Sequence, residues 1–144
     1  MYGLKVAEGD LAVRGDGNIS EVRGAERLRQ ELSHWLLEPV GTDTLYPRFG
    51  SMLDGMVGSP MLPEYISEVR TEVGRVVTNY VEYQKRMMNA DRERGAALFL
   101  ENWPDDEIVD TVDGIAVENV ADRLLVTVKL TTVAGTRVAV SRQL

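Results

Sequence analysis

Residues 36–58, which read LLEPVGTDTLYPRFGSMLDGMVG, separate two helical patterns and decide how they are joined. This stretch holds two of the five prolines and four of the thirteen glycines, so no regular element is expected to run through it. It also carries apolar side chains that would be unfavourable in water: Leu45, Phe49, Met52, Leu53, Met56 and Val57. We therefore predict an ordered loop that packs against the core of the domain.

Helical periods lie on both sides of this loop. Before it, apolar residues recur at steps of three and four from Gly24 onwards, and Pro39 and Gly41 end the pattern. After it, a longer helix is predicted from Pro63, with an end or a bend at residues 89–90. Its apolar stripe is Ile66, Val69, Val73, Val76, Val77, Tyr80 and Val81. Gly74 inside this helix costs about 1 kcal/mol relative to alanine. Either another backbone approaches closely there, or the glycine is simply tolerated.

Both ends of the chain read as strands. Residues 3–13 alternate around a turn at residues 8–10, which predicts a hairpin. Residues 115–117, 124–130 and 138–140 alternate in the same way and predict an antiparallel meander of three strands, packed with one face on the helices. Residues 91–101 predict a short helix capped by Asp91 or, alternatively, a strand at residues 98–100. The expected fold is one α+β domain over residues 1–144.

Composition limits the classes of partner. The chain has 144 residues and a formal net charge of -7, so its field repels nucleic acid and anionic lipid surfaces. It contains no cysteine, which excludes disulfides and sulfur-ligated zinc. No apolar run resembles a signal peptide or a membrane span, so we expect a cytoplasmic protein with neither nucleic acid nor a membrane as its partner.

The sequence carries no motif that is typical of a catalytic site. The densest acids are Asp105, Asp106, Glu107, Asp110 and Asp113. A glycosidase needs two carboxyl groups of unlike pKa, roughly 5 to 10 Å apart, and adjacent exposed acids favour a solvated loop instead. The single histidine, His34, has no partner motif, and no phosphate-binding glycine motif occurs. We predict no catalytic, cofactor-binding or metal-binding residue, and no cofactor.

Partner contacts are predicted at two places. Arg48 lies between Pro47 and Phe49, where its guanidinium either binds a partner or ties its own loop to the domain. The last predicted strand runs almost to the chain end, and at a sheet edge its backbone groups would accept a strand from another chain. The candidate partner-binding residues are therefore Arg48, Phe49, Leu124, Val126, Val128, Val138 and Val140.

The chain resembles the baseplate wedge and sheath-initiator family of contractile phage tails, whose founding member has been labelled lysozyme-like. Residues 22–28 (VRGAERL), 36–42 (LLEPVGT) and 46–53 (YPRFGSML) carry the similarity, and the order of elements follows it along nearly the whole chain. The family commonly has Glu-Pro-Arg between its long helix and the first C-terminal strand. Here the corresponding places read QKR at residues 84–86 or WPD at residues 103–105, so no role of that motif is transferred.

The resemblance implies a nonenzymatic component that links the baseplate wedge or hub to the first ring of sheath subunits. The implied partners are the tail sheath protein, wedge or hub proteins and possibly the tail tube, in a sixfold assembly with several copies. The implied location is the virion tail baseplate, after assembly in the host cytoplasm. Two alternatives stay open: a peptidoglycan-degrading enzyme that uses a carboxylate pair, and an unrelated small adaptor.

Overall fold

The computed structural model describes residues 3–7, 10–56 and 63–144, and these residues form the predicted α+β fold. The helices are α1 (Gly24–Leu37), α2 (Leu53–Met56), α3 (Pro63–Arg94) and α4 (Ala96–Asn102). The strands are β1 (Gly3–Leu4), β2 (Val6–Ala7), β3 (Asp10–Leu11), β4 (Glu21–Val22), β5 (Val109–Val120), β6 (Arg123–Thr132) and β7 (Arg137–Gln143). The prediction of an N-terminal hairpin, two main helices and a C-terminal sheet is confirmed.

The N-terminal strands form a small unit that docks on α1. β2 pairs antiparallel with β3, and β1 pairs antiparallel with β4; the predicted turn residues 8 and 9 lie outside the described residues. The Gln30 side chain fixes this unit to α1. Its Oε1 accepts a hydrogen bond from the Val6 N–H at 2.9 Å, and its Nε2 donates to the Leu4 carbonyl at 2.7 Å. One amide thus satisfies two backbone groups that the short strands leave open.

The C-terminal sheet is antiparallel with the order β5-β6-β7, so β6 is its central strand. Ala121 and Asp122 connect β5 to β6 with positive φ angles of 50° and 61°, which matches the twist of a tight hairpin. β5 begins at Val109, earlier than the predicted start at residue 115. Residues 109–114 pair with the end of β6, and Gln84 of α3 holds their start: its Oε1 accepts from the Val109 N–H at 3.1 Å and its Nε2 donates to the Glu107 carbonyl at 2.9 Å.

The core lies between one face of this sheet and the two long helices. α1 packs near β7 and α3 packs near β5. The predicted helix stripes are buried at Leu28, Leu32, Trp35, Leu36, Val69, Val73, Val76, Val77 and Tyr80. They meet Leu124, Val126, Val128, Leu130, Val138 and Val140 from the inner face of the sheet. Full burial of one such aliphatic side chain contributes about 1.5–3 kcal/mol, so this layer holds the fold together.

α3 runs past residues 89–90 to Arg94, so the predicted end there is wrong. Asp91 does not cap the next helix: it is buried in α3 and accepts hydrogen bonds from Trp103 Nε1 at 2.8 Å and Asn102 Nδ2 at 3.2 Å. These bonds hold α4 against the end of α3. The helical interpretation of this segment is confirmed, and the strand alternative at residues 98–100 is wrong.

Gly74 has no close backbone neighbour among the described residues. A Cβ built there would lie 3.8 Å from Ile115 Cδ1, which is an ordinary van der Waals contact. The structure therefore favours a tolerated glycine over one that a close approach requires.

Candidate partner-binding site

The loop between α1 and α3 closes on itself. The Ser51 N–H donates to the Glu38 carbonyl at 2.7 Å, the Val40 N–H donates to the Ser51 carbonyl at 3.0 Å, and Ser51 Oγ donates to the Leu36 carbonyl at 2.6 Å. Gly50 makes this closure possible. It has a φ of +97°, and a Cβ there would overlap the Glu38 carbonyl oxygen. The predicted ordered loop is therefore a closed, hydrogen-bonded structure.

Glu72 and Arg75 of α3 fasten the loop to the helix. Glu72 Oε1 accepts from the Met52 N–H at 2.7 Å, and Arg75 binds both Glu72 oxygens, at 2.6 and 2.8 Å. Arg75 Nη2 also donates to the Gly50 carbonyl at 3.2 Å. Burial raises the pKa of Glu72, but the hydrogen bonds from Arg75 and Met52 outweigh it and leave that pKa below its ordinary value. The carboxylate is thus held in its charged form.

The aromatic residues of the loop face the domain. The Phe49 and Trp35 ring centroids are 4.8 Å apart, and those of Tyr46 and Tyr83 are 5.3 Å apart, both with edge-to-face geometry. Phe49 is thus half-buried against its own core, so only part of its ring remains for a partner. Leu53 and Met56 also pack as predicted, whereas Leu45 is 82% exposed and Met52 53% exposed, contrary to prediction. Val57 lies outside the described residues.

Arg48 is exposed and makes no hydrogen bond or ion pair with any residue that the structure describes. Among the described residues, Ser51, Glu72 and Arg75 tie the loop to the domain, which favours a partner contact for Arg48 over a role inside its own loop. Arg48 lines a groove of about 280 Å³ with Trp35, Phe49, Glu82, Tyr83 and Arg86. Its exposed guanidinium at this groove can bind a carboxylate or backbone carbonyls of another molecule.

The outer edge of β7 leaves backbone groups unpaired. The Leu144 N–H donates to the Leu124 carbonyl at 2.8 Å, and the Thr132 N–H donates to the Thr136 carbonyl at 2.9 Å. In an antiparallel pair this pattern turns the even-numbered residues of β7 towards β6 and the odd-numbered ones away from it. The N–H groups of Ala139, Ser141 and Gln143 therefore point outwards. None of the described residues binds them.

The predicted sheet residues have two different placements. Leu124, Val126 and Val128 belong to β6, whose backbone is paired on both sides, so they are not available to an added strand and this part of the prediction is corrected. The side chains of Val138 and Val140 are also buried, at 2% and 0% exposure. A partner at β7 would meet the strand's outer backbone edge, and these two side chains would stay in the core.

The acidic residues between positions 105 and 113 are not all exposed to solvent. Glu107 is only 1% exposed: its Oε1 accepts from the Gly24 N–H at 2.8 Å, and its Oε2 binds Arg27 Nη1 at 2.7 Å. Asp113 on β5 accepts hydrogen bonds from the hydroxyls of Thr131 and Thr111, which lower its pKa. The expectation of a solvated loop is thus wrong for Glu107, which joins the start of α1 to the residues before β5.

A second surface lies between the N-terminal strands, α1 and β7, and we call it the basic cleft. It encloses about 570 Å³ and is lined by Lys5, Glu26, Arg29, Ser33, His34 and Arg142, among others. The Arg29 Nε donates to the Ala139 carbonyl at 3.1 Å, so this side chain reaches the outer edge of β7. The basic cleft and the free edge are therefore adjacent.

Sequence reasoning missed several of these residues although some left a signal. Glu72 lies three residues after Val69 and four before Val76, which places it on the buried stripe of α3. Arg142 continues the alternating row of Val138 and Val140. Glu107 left no such signal, because its partners Gly24 and Arg27 are far away along the chain.

Comparison with known proteins identifies no relative. No family model matches the chain, and neither does any curated protein or solved structure. Within residues 3–7, 10–56 and 63–144, no helix is long and apolar enough to cross a membrane. The same residues contain no group of three or more histidine, aspartate or glutamate side chains arranged to hold a metal ion.

Proposed function

We propose that this chain is a nonenzymatic assembly protein of a contractile tail baseplate, which links the wedge or hub to the first ring of sheath subunits. The observation that carries the proposal is the outer edge of β7, whose N–H groups no described residue binds. Its N–H groups at Ala139, Ser141 and Gln143 point away from the sheet, and an incoming strand would pair with them. The sheath protein is the proposed donor of that strand.

The closed loop supports a second contact, to the wedge or hub. The residues that carry the family resemblance at 46–53 include Arg48, which is exposed on a loop held by Glu72 and Arg75. A fixed loop presents its guanidinium with little loss of backbone entropy on binding. The tail tube is a further proposed neighbour in a sixfold baseplate assembled in the host cytoplasm. In this arrangement one domain contacts different partners at the loop and at the sheet edge.

Replacement of Ala139 by proline tests the strand-pairing mechanism. Ala139→Pro removes an outward N–H, and proline is tolerated on an edge strand where that N–H does not pair within the sheet. The matched control is Ala139→Thr, which keeps the N–H and has high strand propensity. Deletion of β7 would be a poor test because Val138 and Val140 belong to the core.

Particles assembled with the Ala139→Pro chain should lack sheath, whereas those with Ala139→Thr should carry it. Electron microscopy and the ratio of sheath to tube protein measure the outcome. Normal sheath on Ala139→Pro particles would contradict strand pairing at this edge. Release of peptidoglycan fragments by the purified wild-type protein would contradict the nonenzymatic part of the proposal and favour the lysozyme-like alternative.

A further inference from the structure

The basic cleft is lined by Arg142, whose buried Nε has no hydrogen-bond partner among the described residues. Arg142 lies on the inner face of β7, after Val138 and Val140, and its side chain is half-buried. Its Nε is out of contact with water, yet no hydrogen-bond acceptor from residues 3–7, 10–56 and 63–144 meets it. A buried donor without an acceptor is unfavourable by about 1–3 kcal/mol, and more when it is charged. Because this atom is closed to water, a ligand's acceptor satisfies it when the Arg142 side chain, which lines the cleft, turns towards that ligand.

The charge of the basic cleft points to the chemistry of that acceptor. Among the described residues that line it, Lys5, Arg29 and Arg142 face one carboxylate, that of Glu26, although the chain as a whole carries a net charge of -7. The local excess of positive charge on an acidic protein attracts anions to this place in particular. Two guanidinium groups in one cleft suit a carboxylate, which accepts hydrogen bonds in a forked geometry.

The position of the basic cleft connects it to the edge of β7. Arg29 donates its Nε to the Ala139 carbonyl, an outward group of that edge, and makes no other hydrogen bond with the described residues. In the free protein, Arg29 thus occupies a carbonyl that an added strand would use. An incoming backbone N–H would take over the Ala139 carbonyl and release the guanidinium of Arg29. The released guanidinium would then be available to a carboxylate in the cleft.

We infer that the basic cleft is a carboxylate-binding site for an acidic side chain on the protein segment that pairs with β7. Side chains of a strand alternate between its two faces, so every second residue of an added strand faces the layer of α1, where the cleft lies. An aspartate or glutamate at such a position meets Arg142 and Arg29. This inference rests on the proposed strand pairing and adds the chemistry that selects the partner and its register.

Two peptides distinguish carboxylate binding in the basic cleft from strand pairing at the edge of β7. One is an end-blocked extended peptide of alternating valine and threonine with a central glutamate, and the other has glutamine in place of that glutamate. Both can pair with β7, but only the first carries a carboxylate. The Nε–Hε resonance of Arg142 reports binding in NMR titrations of the full chain, and inorganic phosphate serves as a second, small-anion probe.

The wild-type protein should bind the glutamate peptide about tenfold more tightly than the glutamine peptide, with a saturable shift of the Arg142 resonance. Arg142→Gln should remove this preference. Arg137→Gln should keep it, because Arg137 lies on the exposed outer face of the same strand. Equal affinity of the two peptides for wild type, or no binding of either at millimolar concentration, would overturn the inference.

The Ala139→Pro variant distinguishes strand pairing at β7 from carboxylate binding in the basic cleft. If Ala139→Pro abolishes binding of both peptides while wild type shows no preference between them, strand pairing stands and the cleft inference fails. If Ala139→Pro keeps the full preference for glutamate, the carboxylate site stands and its link to strand pairing fails. A response of Arg142 to phosphate as strong as to the glutamate peptide would overturn the assignment to a protein segment.

Discussion

The loop at residues 38–56 and the outer edge of β7 differ in where their backbone hydrogen bonds go. In the loop, the amides of Ser51 and Met52 and the carbonyl of Gly50 are bonded within the domain, partly by the ion pair of Glu72 and Arg75. Along β7, every second N–H points outwards with no partner among the described residues. The loop is therefore held by bonds within the domain, whereas the edge presents backbone groups of the kind that an added strand would pair with.

The largest expected effect concerns the closure of the loop. Gly50→Ala places a Cβ against the Glu38 carbonyl at a positive φ, so the free energy of unfolding should fall by about 2–4 kcal/mol. Chemical denaturation measures this change, with Gly55→Ala as the control because a Cβ at Gly55 meets nothing within 4 Å. Equal stability of the two variants would show that the loop is not closed as described.

A smaller loss of stability is expected when Glu72, which holds the loop to α3, loses its charge. Glu72→Gln weakens the bonds to Arg75 and to the Met52 N–H and should lower the free energy of unfolding by about 1–2 kcal/mol at neutral pH. The pKa of Glu72 in the folded protein lies below the ordinary 4.5, so its contribution is present above that pH and disappears as pH falls through the folded pKa.

Denaturation of wild type and Glu72→Gln at neutral and acidic pH measures this dependence. The gap in unfolding free energy between the two proteins should narrow as the solution becomes more acidic. A gap that stays constant, or widens, would mean that the Glu72 carboxylate is not the charged anchor of the loop.

The next effect has the opposite sign and tests whether a half-buried helical glycine, Gly74, is required for packing as Gly50 is. Gly74→Ala should raise the free energy of unfolding by about 0.5–1 kcal/mol, because alanine favours the helix and the new methyl makes an ordinary contact with Ile115. Thermal and chemical denaturation check it. A loss of stability would mean that α3 and β5 approach each other more closely than the structure shows.

The smallest effect on folding is expected at Arg48. Arg48→Ala removes a side chain without partners among the described residues, so stability should stay within about 0.5 kcal/mol of wild type. Assembly of baseplates should nevertheless fall if the guanidinium contacts the wedge or hub. Arg70→Ala, on the exposed surface of α3, is the matched control. A matched loss of stability and assembly at Arg48 would favour a role inside its own loop.

Much of this architecture follows from periodicity in the sequence. The three- and four-residue steps of α1 and α3 and the two-residue alternation of β6 and β7 correctly predicted the layers of the core. Boundaries set by long-range polar contacts were not predicted: Asp91 with Trp103 extends the helical region, and Gln84 with Val109 fixes the start of β5. A pattern of neighbouring residues contains no information on such pairs.

The candidate site was predicted only in part, for a related reason. Alternation identified Val138 and Val140 as members of a strand, but it could not tell which strand would be central and therefore unavailable. It also could not show that Arg29 and Arg142, which are distant along the chain, line one cleft. The β7 edge and the buried Nε of Arg142, neither of which has a partner among the described residues, emerge only from the three-dimensional arrangement.

Amide hydrogen exchange in the free chain and in assembled baseplates tests strand pairing at β7 most directly. In the free chain, the outward amides of Ala139, Ser141 and Gln143 should exchange much faster than those of Val138 and Val140, which face β6. In assembled baseplates the outward amides should slow by at least about tenfold and approach the rates of their neighbours. Unchanged fast exchange of these three amides in sheath-bearing particles would contradict strand pairing at β7.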